Sequence, residues 1–332
     1  MEAMSRAITV REVGGADVLR LEDHDPCPTG SPDDGTLLVR VAACGVNFID
    51  VYFRTGLYPR PLPYVPGLEG SGVVEAVGGG GASKGFAKGD RVAWVSAPGS
   101  YAELMLVPQS QVVKIPDGVS TEVAGAAMLQ GLTAHYLAHG VRESAPGDTA
   151  LVHAAAGGTG LLLVQTLVAA GVRVIGTCST AEKEKLARAA GAGDVIQYTQ
   201  VEDFAAEVKA LTAGRGVDVV YDSVGKTTFE GSLRSLRQRG LLCLFGQASG
   251  PVPPFDLNRL NPAGSLFVTR PTLAHYAGER AELEMRANAV LGAVAAGQLN
   301  VHIGARFGLA EADKAHRALE GRETTGKVLL IP

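Results

Sequence analysis

The sequence predicts an α/β protein in which a β-rich domain accompanies a doubly wound parallel sheet. Residues 149–180 have the pattern of a strand, a glycine-rich turn, a helix and a second strand, and strands and helices alternate from there to about residue 245. Such alternation is typical of a parallel sheet with right-handed crossovers. Before residue 116 the pattern consists of short β-branched runs separated by Gly, Pro and Asp, which indicates a β-rich domain. A length of 332 residues accommodates two domains.

The glycine-rich turn at residues 157–160 is the most informative single feature. Apolar residues 150–154 predict a strand before it, residues 161–170 predict a helix after it, and a second β-branched run occupies residues 172–177. Glycines there would let backbone N–H groups at a helix N-terminus approach a pyrophosphate, whose charge the helix dipole favours. The turn lacks the first glycine of the full fingerprint, so the order of the elements carries the prediction of a nicotinamide dinucleotide site. The alternative is a turn that only packs a helix on a strand.

The remaining elements follow from the same patterns. In the β-rich part we predict strands at residues 37–42, 72–77, 90–95, 102–107 and 112–115. Four prolines between residues 57 and 66 predict an ordered loop, and helical spacing begins at residues 121–138. The alternating part continues with strands at 195–198, 217–222 and 241–245 and with helices at 201–211, 229–237 and 278–296. Residues 327–331 are β-like and could return to the first domain.

The composition excludes several classes of protein. The net charge of −4 and the scattered Lys and Arg residues argue against binding to nucleic acid or to an anionic membrane. No apolar run approaches the roughly 18 residues that span a bilayer, and charges in the first 20 positions argue against a signal peptide. We therefore expect a cytoplasmic protein. The four cysteines form no CxxC pair, so neither a disulfide framework nor a four-cysteine zinc site is expected.

Four stretches of the chain resemble one family. They are the segments ACGVNFIDVY at residues 43–52, PGLEGSG at 66–72, HAAAGGTG at 153–160 and YDSVG at 221–225. Together they resemble the zeta-crystallin-like quinone oxidoreductase branch of the medium-chain dehydrogenase/reductase superfamily. The resemblance implies a GroES-like catalytic domain made of residues 1–129 and 270–332, a Rossmann domain at 130–269, NADPH as cofactor and a homodimer.

The site is expected to work without a metal. Zinc-dependent members of the superfamily have Gly-His-Glu where this chain has Gly67, Leu68 and Glu69. A leucine side chain cannot ligate, whereas a catalytic zinc takes three protein ligands with N, S or O donors. The cysteine-rich lobe that binds structural zinc is also missing, and Cys44 is interpreted as a small buried residue.

The end of the second strand favours NADPH over NADH. An NAD-specific unit usually has Asp or Glu about 20 residues after the glycines, but this chain has Ser179 and Thr180 there. Their hydroxyls could donate to a 2′-phosphate, and Lys183 lies one helical turn away. The alternative for Lys183 is a solvated helix lysine. The resemblance adds Tyr198 near the adenosine phosphate and, more loosely, Arg322.

The catalytic end requires groups that hold an acceptor and stabilise charge on its oxygen. Tyr52 can donate from its phenol and stack on a flat ring, and the alternative is a half-buried packing tyrosine. Asn47 could hold the nicotinamide ribose or a substrate oxygen, and the alternative is a turn residue. Asp50 is expected to orient its neighbours rather than to act as a base. His153 is expected to be a core residue. The catalytic candidates are Asn47, Asp50, Tyr52, Tyr58 and Thr133.

Ligands of open α/β sheets bind at the carboxyl ends of the strands. The backbone of residues 245–250, with that of 268–270, is therefore expected to hold the carboxamide. The full set of cofactor-binding candidates is Asn47, Ala156, Gly157, Gly158, Thr159, Gly160, Ser179, Thr180, Lys183, Tyr198, Ser223, Phe245, Gly246, Gln247, Val268, Arg270 and Arg322.

The favoured activity is hydride transfer from NADPH to a quinone. A second hypothesis is reduction of the C=C bond of an enone or enoyl thioester, and a third is a non-catalytic dinucleotide-binding protein with a structural role. The expected homodimer would pair sheet edges near residues 264–268, because an apolar run at an edge otherwise invites aggregation.

Overall fold

The computed structural model describes residues 5–27, 31–79 and 85–332. The chain forms two compact units. Unit 1 comprises the described residues up to Leu132 together with Ala277–Pro332, and unit 2 comprises Thr133–Tyr276. Residues 1–4, 28–30 and 80–84 of the predicted first domain lie outside the described residues.

Unit 1 opens with a series of strands. Among the described residues they are β1 (Ser5–Val10), β2 (Leu19–His24), β3 (Thr36–Val46), β4 (Glu69–Val77), β5 (Arg91–Val95), β6 (Leu104–Pro108) and β7 (Val112–Lys114). A short helix, α1 (Phe48–Arg54), follows β3, and a longer one, α2 (Thr121–Tyr136), follows β7. The prolines after α1 keep residues 57–66 out of regular helix and of any named strand, as the sequence predicts.

Unit 2 alternates strands and helices as the sequence predicts. Its elements are β8 (Thr149–Val152), α3 (Gly158–Ala169), β9 (Arg173–Cys178), α4 (Ala181–Ala189), β10 (Asp194–Gln197), α5 (Phe204–Leu211), β11 (Val217–Asp222), α6 (Phe229–Ser235), β12 (Leu236–Leu244) and β13 (Phe267–Thr269). The strands pair in parallel in the order β10-β9-β8-β11-β12-β13. Counted from β8 this order is 3-2-1-4-5-6, the doubly wound arrangement of a Rossmann domain.

The C-terminal segment returns to unit 1. Its elements are α7 (Arg280–Ala295), β14 (Ile303–Gly308), α8 (Ala312–Glu320) and β15 (Lys327–Ile331). β15 pairs antiparallel with β3, with Leu330 opposite Cys44, which confirms that the tail rejoins the first sheet. The sheet runs in the order β14-β15-β3-β4-β5-β7, and β6 also pairs with β3.

Each unit has its own apolar core. The core of unit 1 surrounds the sheet and includes Trp94, Leu37 and Val92, none of them exposed to solvent. The core of unit 2 includes Leu151 and Ile175. Burying one such aliphatic side chain stabilises the fold by about 1.5–3 kcal/mol. None of the helices in the described part of the chain has both the length and the apolar character needed to cross a membrane.

The structure differs from the predicted elements in a few places. The predicted helix at residues 229–237 ends at Ser235, and β12 begins at once at Leu236 rather than at residue 241. Residues 237–240 form a bulge, since Val217 pairs with Leu236 but Val219 pairs with Leu241. These polar residues interrupt the apolar pattern, so the sequence did not predict that the strand begins at Leu236. The elements β1, β2, α1, α4, β14 and α8 are not among the predicted strands and helices. The buried residues of α8 are Ala312, Ala315 and His316, so its buried face has no large apolar side chain.

Candidate functional site

The glycine-rich turn connects β8 to α3 in unit 2. Ala154 turns the chain with a positive φ of 51°. Gly160 lies so close to the turn that a Cβ atom would stand 2.2 Å from the carbonyl oxygen of Ala154, so only glycine fits. Within the described residues no side chain caps the N-terminus of α3. This helix end has the form of an anion-binding site.

Several predicted cofactor residues gather at the ends of β9 and β10. Ser179 and Thr180 directly follow β9, and the N–H of Tyr198 donates to the carbonyl of Cys178 over 3.0 Å. Thr180 is the N-cap of α4, where its Oγ1 accepts from the N–H of Lys183 at 3.3 Å. Lys183 therefore lies in the first turn of α4, next to the hydroxyl of Thr180. No carboxylate occupies residues 178–180.

The other predicted loops reach the same edge of the sheet. Ser223 follows β11, Phe245, Gly246 and Gln247 follow β12, and Arg270 follows β13. The loops are tightly packed, because a Cβ on Gly246 would lie 2.5 Å from the carbonyl oxygen of Ser223. Arg270 donates from Nη1 to the carbonyl of Leu244 over 3.0 Å. Since carboxyl ends of parallel strands share one edge, unit 2 brings these residues to the edge that holds the glycine turn.

His153 is a buried residue, as predicted. Its Nδ1 lies 2.9 Å from Oγ1 of Thr177, and its Nε2 lies 3.0 Å from Oγ of Ser232. Ser232 in turn donates to the carboxylate of Asp222 over 2.8 Å. Burial lowers the pKa of His153, which favours the neutral ring. These contacts anchor the strands behind the glycine turn.

In unit 1 the candidates lie at the start of α1. Asn47 is the N-cap, and its N–H donates to Oδ2 of Asp50 over 2.9 Å. The hydroxyl of Tyr101 donates to the same oxygen over 3.1 Å, while Oδ1 of Asp50 is buried and has no hydrogen-bond partner among the described residues. Burial raises the pKa of Asp50 to about 7, although both hydrogen bonds and the charge of Lys327 favour the carboxylate.

The amide of Asn47 is engaged by buried neighbours. Its Oδ1 accepts from Nζ of Lys327 at 2.9 Å, and its Nδ2 donates to Oε2 of Glu69 at 2.9 Å and to the carbonyl of Gly45 at 3.2 Å. Lys327 and Glu69 form an ion pair, and Oε1 of Glu69 accepts from the N–H of Leu129 at 2.7 Å. The side chains of Lys327 and Glu69 are 1% and 0% exposed. We call Asn47, Glu69 and Lys327 the buried polar cluster.

A chain of hydrogen bonds connects Asp50 to the surface of unit 1. The hydroxyl of Tyr101 lies 3.1 Å from Nε2 of His316, whose Nδ1 lies 3.3 Å from Nη1 of Arg54. Arg54 forms two hydrogen bonds to Glu320, of 2.8 and 2.9 Å. Burial, with a smaller contribution from Arg54, lowers the pKa of His316 to about 3, so the ring is neutral. Because Arg54 can only donate, Nδ1 accepts and Nε2 carries the proton.

Tyr52 and Tyr58 form an aromatic pair near the Asp50 end of this hydrogen-bond chain. Their ring centroids are 5.3 Å apart in an edge-on arrangement, and the N–H of Tyr58 donates to the carbonyl of Tyr52 over 3.0 Å. Tyr52 is largely buried, with 9% exposure. Unit 1 thus brings together Asn47, Asp50, Tyr52 and Tyr58. Thr133 is buried in the part of α2 that belongs to unit 2, and Arg322 follows α8.

The sequence alone did not predict a role for Lys327, Tyr101, His316 or Arg54. Only Lys327 offered a signal, a charged residue in the apolar run of the last strand. Among the described residues no three His, Cys, Asp or Glu side chains are arranged to hold a metal ion. Cys44 is buried and donates to the carbonyl of Ser100 over 2.7 Å, and burial raises the pKa of its thiol.

Comparisons with known proteins cover nearly the whole chain. The family described as "Alcohol dehydrogenase GroES-like domain" matches residues 33–117, and the family described as "Zinc-binding dehydrogenase" matches residues 158–283. A quinone oxidoreductase of Pseudomonas aeruginosa is 46% identical over 99% of this chain and 100% of its own length. A 2-haloacrylate reductase of a Burkholderia species is 41% identical, with 99% of each chain covered. A mycobacterial protein solved with NADPH superposes with a TM-score of 0.94 at 50% identity, covering 99% of this chain and 100% of the other.

Proposed function

Because the chain belongs to the quinone oxidoreductase family of the medium-chain dehydrogenase/reductase superfamily, we propose that it reduces quinones with NADPH. The nicotinamide would supply a hydride from C4, and the acceptor would take up a proton as well. The observation that carries the proposal is the arrangement at the carboxyl edge of the sheet in unit 2, where an uncapped helix N-terminus and Lys183 lie at the ends of adjacent strands.

The phosphate-binding groups support NADPH rather than NADH. The hydroxyls of Ser179 and Thr180 can donate to a 2′-phosphate, and Lys183 in the first turn of α4 adds a positive charge. Tyr198, at the end of the neighbouring strand, is 37% exposed and can cover the adenosine part. The N–H groups of residues 157–160 would bind the pyrophosphate. The loops with Ser223, residues 245–247 and residues 268–270 would hold the nicotinamide half.

In unit 1 we assign different roles to the candidate side chains. Tyr52 and Tyr58 have aromatic rings that can contact a flat acceptor, and the phenol of Tyr52 would donate to the oxygen that gains negative charge. Asn47 and Asp50 are held by buried partners, so their proposed role is to fix the start of α1. Thr133 and Arg322 stay predictions from sequence. Leu68 cannot ligate zinc, and an electrophilic quinone accepts a hydride without a Lewis acid.

Reduction of an activated C=C bond is the second candidate. It is favoured by the likeness to the 2-haloacrylate reductase, which is 41% identical to this chain. The same hydride donor would serve both reactions, and only the shape and charge of the acceptor pocket would differ. A dinucleotide-binding protein without turnover is the third candidate.

A screen of NADPH oxidation distinguishes these three functions. Purified protein is mixed with NADPH and with a panel of quinones, enones and aldehydes, and the loss of NADPH absorbance is followed. We expect quinones to have the highest kcat/KM and simple alcohols to give no reverse reaction. Faster turnover of enones than of quinones would instead support the double-bond reductase. Tight NADPH binding with no turnover on any acceptor would support the structural role.

We also propose a homodimer that pairs the edges of the sheet in unit 2. The edge strand β13 exposes apolar side chains, with Phe267 at 60% and Val268 at 38% exposure. An uncovered apolar edge invites association with another strand. Light scattering at micromolar concentration should give the dimer mass, and Phe267→Lys should shift it toward the monomer. A monomeric wild type contradicts this assembly.

The free cysteines support a cytoplasmic location for this enzyme. All four, Cys27, Cys44, Cys178 and Cys243, are unpaired thiols. Unpaired thiols and NADPH are typical of a reducing compartment. Fractionation of the source cells should find the protein with cytosolic markers, and recovery outside the cytosol would contradict it.

A further inference from the structure

One arginine of unit 1 is held by aromatic rings rather than by a carboxylate. The guanidinium carbon of Arg60 lies 4.8 Å from the ring centroid of Tyr64 and 5.3 Å from that of Phe53. Within the described residues no Asp or Glu forms an ion pair with it. Cation–π contacts hold a guanidinium in place without neutralising its charge. Arg60 therefore keeps a net positive charge in a fixed position.

Arg60 adjoins the aromatic side chains proposed to meet the acceptor. Phe53, which contacts Arg60, lies with its ring centroid 5.9 Å from that of Tyr58. Tyr58 in turn lies 5.3 Å from Tyr52. The row thus combines edge-to-face aromatic rings with one cation at its end, in the order Arg60, Phe53, Tyr58 and Tyr52. Such a row suits a planar ring that carries a negatively charged substituent.

The loop around Arg60 is anchored on both sides. Tyr64 exchanges two backbone hydrogen bonds with Val10 of β1, of 2.9 and 3.0 Å. On the other side the N–H of Tyr58 donates to the carbonyl of Tyr52, and Pro61 and Pro63 restrict φ between these anchors. The Arg60 side chain would therefore lose little conformational entropy when a ligand binds. Most of the interaction energy between the ligand and the guanidinium would then contribute to the affinity.

We propose that Arg60 binds an anionic substituent of the acceptor, so that carboxylated or sulfonated quinones are preferred over neutral ones. The inference rests on the proposed function, because it needs the acceptor to contact Tyr52 and Tyr58. Arg60 acts here as a specificity residue and takes no part in hydride transfer. Its loss should therefore raise KM for the anionic acceptor and leave kcat largely unchanged.

The test compares a naphthoquinone that carries a carboxyethyl side chain with its methyl ester, since the two differ in charge but not in the reacting ring. In Arg60→Met the kcat/KM ratio of acid to ester should fall about 10-fold, the scale of one charge-assisted hydrogen bond. Arg60→Lys should retain part of the preference, and the wild-type ratio should fall as salt is added. Arg239→Met, which removes an exposed charge from unit 2, should leave the ratio unchanged.

An unchanged ratio in Arg60→Met would overturn the proposal. If that variant does not fold, Arg60→Gln serves the same comparison with a polar side chain. If the wild type reduces neither quinone, the proposed function fails, yet Arg60 can still be tested. Calorimetric titration of the NADP⁺-loaded protein with acid and ester then gives the affinity ratio, which Arg60→Met should reduce by a similar factor. Equal affinities for acid and ester in the wild type would also overturn the proposal.

Discussion

Removing the ammonium group of Lys327 should destabilise unit 1 far more than an ordinary lysine substitution. Lys327→Met leaves the carboxylate of Glu69, which is 0% exposed, without its counter-ion. Breaking a buried ion pair by removing one partner costs about 3–5 kcal/mol. Glu69 would still accept from Leu129 at 2.7 Å and from Asn47 at 2.9 Å. We therefore expect the lower end of this range, about 3 kcal/mol, or a fall in Tm of roughly 6–12 °C.

The single tryptophan provides an assay that is local to this cluster. Trp94 is fully buried in unit 1, and it pairs with Gly70, the residue after Glu69. Unit 2 has no tryptophan, so unfolding followed by Trp94 fluorescence in urea reports on unit 1. The single variants Lys327→Met and Glu69→Gln and the double variant form a cycle that isolates the coupling between the two side chains.

The double variant is the matched control. With both charges removed no ion is left unpaired, and we expect stability within about 1 kcal/mol of the wild type. A coupling energy near zero, or a loss below about 1 kcal/mol in Lys327→Met, would refute the reasoning. The latter result would mean that water or a rearranged side chain replaces the ammonium.

Three substitutions and one metal analysis test other parts of the structure. Lys183→Glu should weaken NADPH binding by roughly 1–3 kcal/mol in calorimetry and leave NADH binding nearly unchanged; equal wild-type affinities for the two cofactors would contradict the assignment. Tyr52→Phe should lower kcat by about 10- to 1,000-fold with NADPH affinity retained, and an unchanged kcat would leave Tyr52 a packing residue. Because Leu68 cannot ligate, elemental analysis should find no stoichiometric zinc and a chelator should leave activity intact. The pKa of Asp50 is raised to about 7, above its value of about 3.9 in an unfolded chain, so the contribution of Asp50 to the stability of unit 1 is full below the lower pKa and is lost as pH rises through the folded pKa. Asp50→Asn should flatten this decline between about pH 4 and 7 in urea titrations, and an unaltered slope would assign it to other groups.

Local patterns predicted unit 2 well because its signals are contiguous in sequence. A strand, a turn and a helix within about 20 residues decide where the glycines and the helix N-terminus lie, and parallel pairing places the following loops at the same edge. The predicted sites at Ser179 and Gly246 are where this topology requires them, at the ends of β9 and β12. The start of β12 at Leu236 was not predicted, because a polar bulge follows directly after this residue.

The polar interior of unit 1 could not be predicted in this way. Lys327 lies 280 positions from Asn47, and His316 lies 215 positions from Tyr101. Periodicity identifies a buried face, but it does not tell which distant polar groups meet there. A lysine in an apolar strand is the only trace that the cluster leaves in the sequence. A buried lysine requires a hydrogen-bonded counter-ion, but the sequence does not identify Glu69 as that counter-ion.

These distant contacts change how the motif at residues 43–52 should be interpreted. From sequence, Asn47 and Asp50 look like groups that face a ligand, since both precede or begin a short helix near candidate tyrosines. In the structure β15 brings Lys327 to Asn47. The segment just before β6 brings Tyr101 to Asp50. The amide of Asn47 and Oδ2 of Asp50 therefore form their hydrogen bonds with other parts of the protein. We propose that the rings of Tyr52 and Tyr58 contact the acceptor. We therefore propose that the polar residues of the motif position the helix and that its aromatic residues contact the acceptor.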